Sequence, residues 1–409
     1  MRRRVAITGM AGISPIGNDW ATVREHLQSY RNAVVKMEDW SEYEGLNTQL
    51  GAPAADFKLP EHYTTKATRS MGRVALMATR GTELALGDAG LLDDPLVKSG
   101  KLGIAYGSCA GTPSAMCDFA KMVDEKSTRG ICATTYIKSM GHTAAVNIGI
   151  FFGITGRIIP TSSACTSGSQ GIGYAYEAIR NGQQQAMIAG GADELSVADA
   201  AVFDTLFATS IRNDAAHTTP RPFDAERDGL VIGEGAGTLI LEDLDHAKAR
   251  GAAIYAEVVG FGTNSDGCHV THPKAETMQV AIELALADAR LEPESIGYVN
   301  AHATGTEHGD IAESEATNKI FGSRPPISSL KSYMGHTLGA CGALEAWFTI
   351  EMMREGWFAP TVNLKELDGR CAELDYITTA VRGLDCEYVM SNNFAFGGIN
   401  TSLIFKRVI

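Results

Sequence analysis

The sequence has no C-x-x-C pair among its 8 cysteines, and so lacks the usual signature of structural zinc and of thioredoxin-like redox chemistry. It has no apolar run of about 18 residues, which excludes a membrane-spanning helix. Basic residues are in the minority, 35 Lys and Arg against 48 Asp and Glu. The resulting formal charge of −13 argues against a nucleic-acid binder, while leaving room for an acidic partner on a local basic patch. A signal peptide is not expected either. Met1-Arg2-Arg3-Arg4 has the charge of an n-region, but Val5-Ala6-Ile7-Thr8-Gly9-Met10-Ala11-Gly12 is too short and too glycine-broken for the apolar stretch that should follow. These lacks predict a cytoplasmic protein, without membrane insertion, whose cysteines are mostly reduced.

What is present describes a folded globular chain: 409 residues, 44% hydrophobic and 20% charged. That length allows two to three domains or one large double-layered unit. The 44 glycines predict many tight turns or close backbone approaches. Short apolar runs at 5–8, 102–105, 185–189, 238–241, 256–259 and 298–300 read as strands. Helical patterns cover 75–89, 168–181, 276–289 and 344–355. The alternation predicts an α/β protein with partly parallel sheets. The charged stretch 243–253 joins two halves, 1–250 and 251–409. No sequence repeat is evident, although both halves share a strand–helix grammar. The segment 9–17 follows a strand and is glycine-rich. It lacks G-x-G-x-x-G and any G-K-[ST] ending, so a tight turn accounts for it better than a nucleotide-binding loop.

One cysteine has a setting that suits a nucleophile. In Thr161-Ser162-Ser163-Ala164-Cys165-Thr166-Ser167-Gly168, a strand-like run leads in and a helical pattern leads out. Cys165 therefore stands at a strand-to-helix elbow. Helix-end amides and the dipole there favour a thiolate and can hold an oxyanion. An inert buried thiol fits the elbow equally well. Two histidines have matching surroundings: His302 in Asn300-Ala301-His302-Ala303-Thr304-Gly305-Thr306, and His336 in Lys331-Ser332-Tyr333-Met334-Gly335-His336. His62, His142, His217, His246, His269, His272 and His308 read as surface or satisfied core. Asp310, Glu313 and Glu315 with His308 make a poor metal set without a second spaced histidine; no metal site is expected.

Taken together these motifs resemble the β-ketoacyl-acyl carrier protein synthases, in their elongating I/II group. Ser163-Ala164-Cys165-Thr166-Ser167-Gly168, the His302 and His336 segments, and Ser391-Asn392-Asn393-Phe394-Ala395-Phe396-Gly397-Gly398-Ile399-Asn400 carry the likeness, supported by the stretch 221–235. It runs over nearly the whole chain. The resemblance implies the thiolase fold, in which two similar halves make a five-layer α-β-α-β-α sandwich with the site between them. It implies a decarboxylative Claisen condensation of a Cys165-bound acyl chain with malonyl-carrier protein in fatty acid elongation. It also implies each residue's task. His302 and His336 stabilise the enolate as neutral Nε2–H donors. The backbone amides of Cys165 and Phe396 form the oxyanion hole. Lys331 orders the His302 side, and Glu345 supports it. Thr304 and Thr306 hold the phosphopantetheine arm, and Phe203, Phe394, Phe396 and Ala110 bound the pocket. No cofactor is expected to be bound, because the phosphopantetheine arrives on the acyl carrier protein. Lys66, Arg69, Lys126 and Arg129 match carrier-docking positions, and a homodimer is expected.

The chain departs from the family pattern in places. Ala395 stands where the gate usually has glycine, Ala303 and Gly305 replace the usual glycine and serine, and Ala110 is small where a branched residue often limits the pocket. A chain-length factor would lack the nucleophile, and a thiolase would carry a second catalytic cysteine near the C-terminal Gly-Gly. A ketosynthase of a specialised polyene or polyketide pathway shares the same chemistry and stays open as the alternative.

Overall fold

The computed structural model describes residues 2–54 and 56–408. In the N-terminal half the chain runs β1 (Val5–Ile13), α1 (Arg73–Asp88), β2 (Leu102–Gly107), α2 (Thr143–Phe152), β3 (Ile158–Thr161), α3 (Ser167–Arg180), β4 (Ala186–Asp193) and β5 (Gly235–Asp243). The C-terminal half repeats that grammar: β6 (Ala256–Ser265), α4 (Ala275–Ala289), β7 (Ile296–Asn300), α5 (Glu307–Phe321), β8 (Pro326–Ser328), α6 (Cys341–Glu355), a short added β9 (Asp375–Tyr376), β10 (Tyr388–Phe394) and β11 (Ile399–Arg407).

The repeat extends to topology. The first half orders its strands β3-β2-β4-β5-β1 and the second β8-β7-β10-β11-β6. In each, the first two pairings are parallel and the last two antiparallel. The two sheets join at a seam where Val5–Ile7 of β1 pairs antiparallel with 256–258 of β6, giving one hydrogen-bonded ladder of 11 strands. Helices α1 and α2 pack on the outside of the first sheet, and α4 and α5 outside the second. Helices α3 and α6 lie between the sheets and touch both, which makes five layers. Sequence explains the middle position of α6. Every residue from Cys341 to Met353 is buried, as expected of a helix apolar all round rather than along one stripe.

The strands outrun their sequence-based bounds, and one expectation is overturned. Residues 9–13 do not turn: β1 continues to Ile13, and the turn comes at Ser14–Gly17. Gly9 is there for close packing, since a Cβ on it would stand 2.4 Å from the Ala85 carbonyl oxygen of α1. The junction stretch folds into a short helix, Leu244–Ala249, capped by the Asp243 side chain. No helix among the described residues is long and apolar enough to cross a membrane. All eight cysteines are free thiols.

Candidate active site

The site gathers loops from the carboxyl ends of equivalent strands in both halves, where open α/β sheets expose their ligand-binding crevices. From β3 the chain turns through Ser163-Ala164-Cys165 into α3. Ala164 takes φ +51°, a left-handed conformation that a Cβ resists, and this kink aims Cys165 inward. The N-terminal ends of α3 and α6 meet with almost no side chain between them. A Cβ on Gly168 would lie 2.8 Å from the Gly339 carbonyl oxygen, and one on Gly342 would lie 2.8 Å from the Ser169 nitrogen.

That close crossing puts the C-terminal half's loops against Cys165. Its sulfur lies 2.9 Å from His336 Nε2, and ligand atoms of Cys165, His302 and His336 all fall within 4.8 Å of one another. The two imidazole rings stand at 87°, centroids 5.2 Å apart. His302 is held from behind: its amide and that of Ala303 donate to the Glu313 carboxylate at 2.8 and 2.6 Å. Its Nδ1 accepts from Asn393 Nδ2 at 3.4 Å, an assignment that leaves the proton on Nε2. Asn393 also donates to Glu345 at 2.8 Å, and the other Glu345 oxygen takes the Lys331 ammonium. Lys331, Glu345, Asn393 and His302 thus form one buried polar chain.

Burial sets the charge states. It pushes the Cys165 thiol up to about 11, although the Phe396 amide, the Lys331 charge and the Cys165 amide all pull it down. The elbow therefore holds a thiol at neutral pH, not the thiolate that helix-end electrostatics alone predict, because desolvation outweighs those donors. Burial, then Lys331 and then His336 hold His302 well below the usual histidine range; burial and Lys331 do the same to His336. Both rings are neutral. Desolvation opposes the charge on Lys331, but Glu345 more than offsets it and keeps the ammonium protonated. Glu313 is pushed up to about 8, chiefly by burial.

A cavity of about 520 Å³ ends on Cys165, His302 and His336 and is lined by Thr304, Thr306, Phe203, Phe394 and Phe396. The two threonine hydroxyls lie 3.0 Å apart. Phe203 and Phe396 pack with centroids 4.9 Å apart, and Phe394 meets the His302 ring edge-on at 6.2 Å. The Phe396 and Cys165 amides face the sulfur. Ala395 carries no left-handed strain. The gate's positive φ values fall at Gly397 and Gly398, so the extra Cβ costs nothing in this geometry.

The remaining expectations lie outside this cavity or at its mouth. Ala110 is outside the lining, which ends at Phe203 and Phe396. The loop bearing it is anchored by Asp193, which takes the Ser108 hydroxyl, the Cys109 amide and the Gly339 amide, and its Cys109 packs with Phe203 and Phe396. Lys66, Arg69, Lys126 and Arg129 are exposed and none borders the cavity. Lys66 belongs to the short turn of helix Thr65–Thr68 and Arg69 caps it, while Lys126 caps the helix Pro113–Glu125. Three histidines set aside as surface or core, His269, His272 and His308, stand at the mouth, with the first two Nδ1 atoms 2.8 Å apart. Asp310, Glu313 and Glu315 do not converge on His308. Asp310 binds the Phe223 and Gly305 amides, Glu313 faces His302, and Glu315 is exposed. Sequence reasoning named Glu313 only within a metal set and missed Asn393 and Asp193. Asn393 was within a quoted motif; Asp193 gave no local signal.

A cysteine at a helix N-terminus, faced by two neutral imidazoles and two amides between paired α/β halves, defines a thiol-dependent acyl-transfer enzyme of the thiolase-fold condensing class. The match to known proteins is more specific. The N-terminal domain of beta-ketoacyl synthase matches residues 2–247 and its C-terminal domain residues 255–365. The chain belongs to the β-ketoacyl synthase family. It is 35% identical over 414 residues to a 3-oxoacyl-[acyl-carrier-protein] synthase 2 of Vibrio harveyi, covering 100% of this chain and 99% of that one. A solved beta-ketoacyl synthase from Burkholderia phymatum is 58% identical, with each chain covered at 100% and a TM-score of 0.98. A type II polyketide ketosynthase solved in complex with its acyl-carrier protein is 28% identical, again with full coverage of both, at a TM-score of 0.89.

Proposed function

We propose that this protein is a 3-oxoacyl-acyl carrier protein synthase of fatty acid elongation, with Cys165 as acyl acceptor. The observation that carries this reading is the convergence of Cys165, His302 and His336 on the floor of one cavity. Cys165 attacks an acyl-carrier thioester. The carrier sulfur leaves and takes up the proton that Cys165 gives up, while His336 Nε2–H, 2.9 Å from the Cys165 sulfur, donates to the thiolate as it forms. The Phe396 and Cys165 amides hold the tetrahedral oxyanion. Malonyl-carrier protein then binds, its arm beside Thr304 and Thr306. Loss of carbon dioxide leaves an enolate whose oxygen the His302 and His336 Nε2–H groups stabilise. The enolate carbon attacks the Cys165 thioester, the sulfur departs and takes up one proton, and 3-oxoacyl-carrier protein is released. Neutral rings suit this task, since a donor that keeps its proton stabilises the oxygen without quenching the carbanion. Lys331 and Glu345, through Asn393, position His302. No bound cofactor is needed.

The test is direct: with acyl- and malonyl-loaded carrier protein, mass spectrometry should show acyl on Cys165, then 3-oxoacyl product and carbon dioxide. Acyl label on another cysteine with Cys165 unmodified would refute the assignment. The second reading, the same chemistry in a specialised polyene or polyketide pathway, draws on the likeness to polyketide ketosynthases. A panel of chain lengths and unsaturations separates the two.

The working form we propose is a cytoplasmic homodimer paired along β3. That strand is the free edge of the first sheet, and apolar side chains of Ile158, Ile150 and Tyr136 stand exposed on or near it. Sedimentation equilibrium at micromolar concentration should give the dimer mass. Lys66, Arg69, Lys126 and Arg129 remain candidate carrier contacts away from the cavity. None forms an ion pair among the described residues, which leaves their charges available.

A further inference from the structure

The lip of the active-site cavity carries a residue that the fold itself does not favour. The helix Val197–Asp204 ends in a Schellman turn: the Ala208 amide donates to the Phe203 carbonyl at 3.0 Å and the Phe207 amide to the Asp204 carbonyl at 2.9 Å. The left-handed position of such a turn normally holds glycine. Here it holds Phe207 at φ +54°. Burial does not compensate for that strain, because Phe207 is 87% exposed. Val202, Leu206 and Ile211 around it are exposed as well, and Val270 faces them, exposed, across the mouth. Neighbouring cations are already engaged. Arg212 lies 3.5 Å from Asp228 and 3.8 Å from Glu226, and Lys36 lies 3.2 Å from Asp214. On this side the lip is apolar, and neither Arg212 nor Lys36 has a spare charge.

We infer that Phe207, Leu206 and Val202 form the seat of the acyl carrier protein, which packs apolar side chains of its own against them while its arm reaches Cys165. This rests on the reading that substrates arrive tethered to a carrier. The occupant follows from access. Cys165 is only 5% exposed and lies at the floor of the cavity, so a tethered chain enters through the mouth and the carrier body must cover the rim. It follows from charge too. An acidic carrier and a chain of −13 gain little from bulk attraction, and an exposed apolar anchor supplies contact energy that does not depend on charge.

Phe207→Gly is the informative variant, because glycine removes the ring while relieving the left-handed strain. Its melting temperature should not fall below wild type. The apparent KM for acyl-carrier protein should rise about tenfold, as for loss of an interface anchor. The rise should be similar at low and high salt, and kcat/KM for a small acyl–pantetheine thioester should change far less. Val202→Ser, farther from the mouth, should give a smaller shift of the same kind. An unchanged KM for the carrier substrate, equal losses on both substrates, or a KM increase that high salt abolishes would overturn the inference. Wild-type protein that makes no 3-oxoacyl product from carrier substrates would sink the condensing-enzyme reading itself, a result separate from any effect at the lip.

Discussion

The two halves share one strand order and one alternation of helix and strand, yet they do different work. In the first half a short turn joins β3 to α3 and presents Cys165. In the second, the equivalent connection from β8 to α6 is longer and carries Lys331 and His336. The loop after β7 is tight and holds His302, whereas its counterpart after β2 spreads over 108–142 and contains two helices. The gate between β10 and β11 spans 395–398, while the link between β4 and β5 runs over 194–234 and supplies Phe203 and the apolar lip. Thus the first half provides the nucleophile, part of the walls and the Phe207 lip, and the second provides polarisation and the rest of the lining. Repetition of the fold fixes where loop ends meet, and loop length decides what each end does. The cysteines make the same point. Cys341 opens α6 much as Cys165 precedes α3, but it is fully buried, donates to the Cys165 carbonyl at 3.3 Å, and does not line the cavity.

That asymmetry can be broken most severely with Cys165→Ala. Carrier-dependent condensation should fall to background and no acyl adduct should form. An enzyme that still acylates through Cys341 would mean that the halves are interchangeable. The next largest effect concerns pH. Because burial pushes the Cys165 thiol up to about 11, little thiolate exists at neutrality, and the fraction grows with each rise in pH. Carboxymethylation of Cys165 should therefore quicken by about a thousandfold between pH 7 and 10. Exposed Cys132 is lowered to about 6, chiefly by the Thr134 hydroxyl, so its reaction should have levelled off already. Peptide mass spectrometry resolves both in one sample, and a Cys165 profile flat above pH 8 would contradict the raised value.

His302→Ala should slow decarboxylation of malonyl-carrier protein by about 10²–10³, the usual loss for one oxyanion donor, while leaving self-acylation largely intact. His336→Ala should impair both half-reactions, because His336 also touches the sulfur. Equal acylation rates in the two variants would erase the distinction between the histidines. The smallest effect is expected from Cys341→Ala. Losing its hydrogen bond should cost about 1 kcal/mol of stability by denaturant titration, with condensation within a few-fold of wild type.

The chemistry was more legible than the architecture. Cys165, His302, His336, Lys331 and Phe396 stand in segments whose small and glycine neighbours mark close backbone approach, and the structure brings all five together. The strand positions were legible for the same local reason: buried β-rich runs. The repeat was not, because it lies in pairing order rather than in residue identity. Nor was the neutral thiol. Helix-end position is local, but the burial that outweighs it comes from both halves at once. Glu313 looked like a stray acid because its partners, the His302 and Ala303 amides, are reached only after α5 folds back. Ala110 does not border the cavity, and what anchors its loop, Asp193, lies far along the chain.

The backbone contact between α3 and α6 has a consequence for divergence. The spacing between nucleophile and imidazoles is not set by any side chain there that drift could lengthen or trim. It is set by two helices touching at Gly168 and Gly342, where a substitution would push the halves apart. The loops from 108–142 and 194–234 lie under no such constraint. A lineage built on this scaffold can therefore exchange its walls and its lip, and with them its substrate and its partner, without disturbing the reaction they serve.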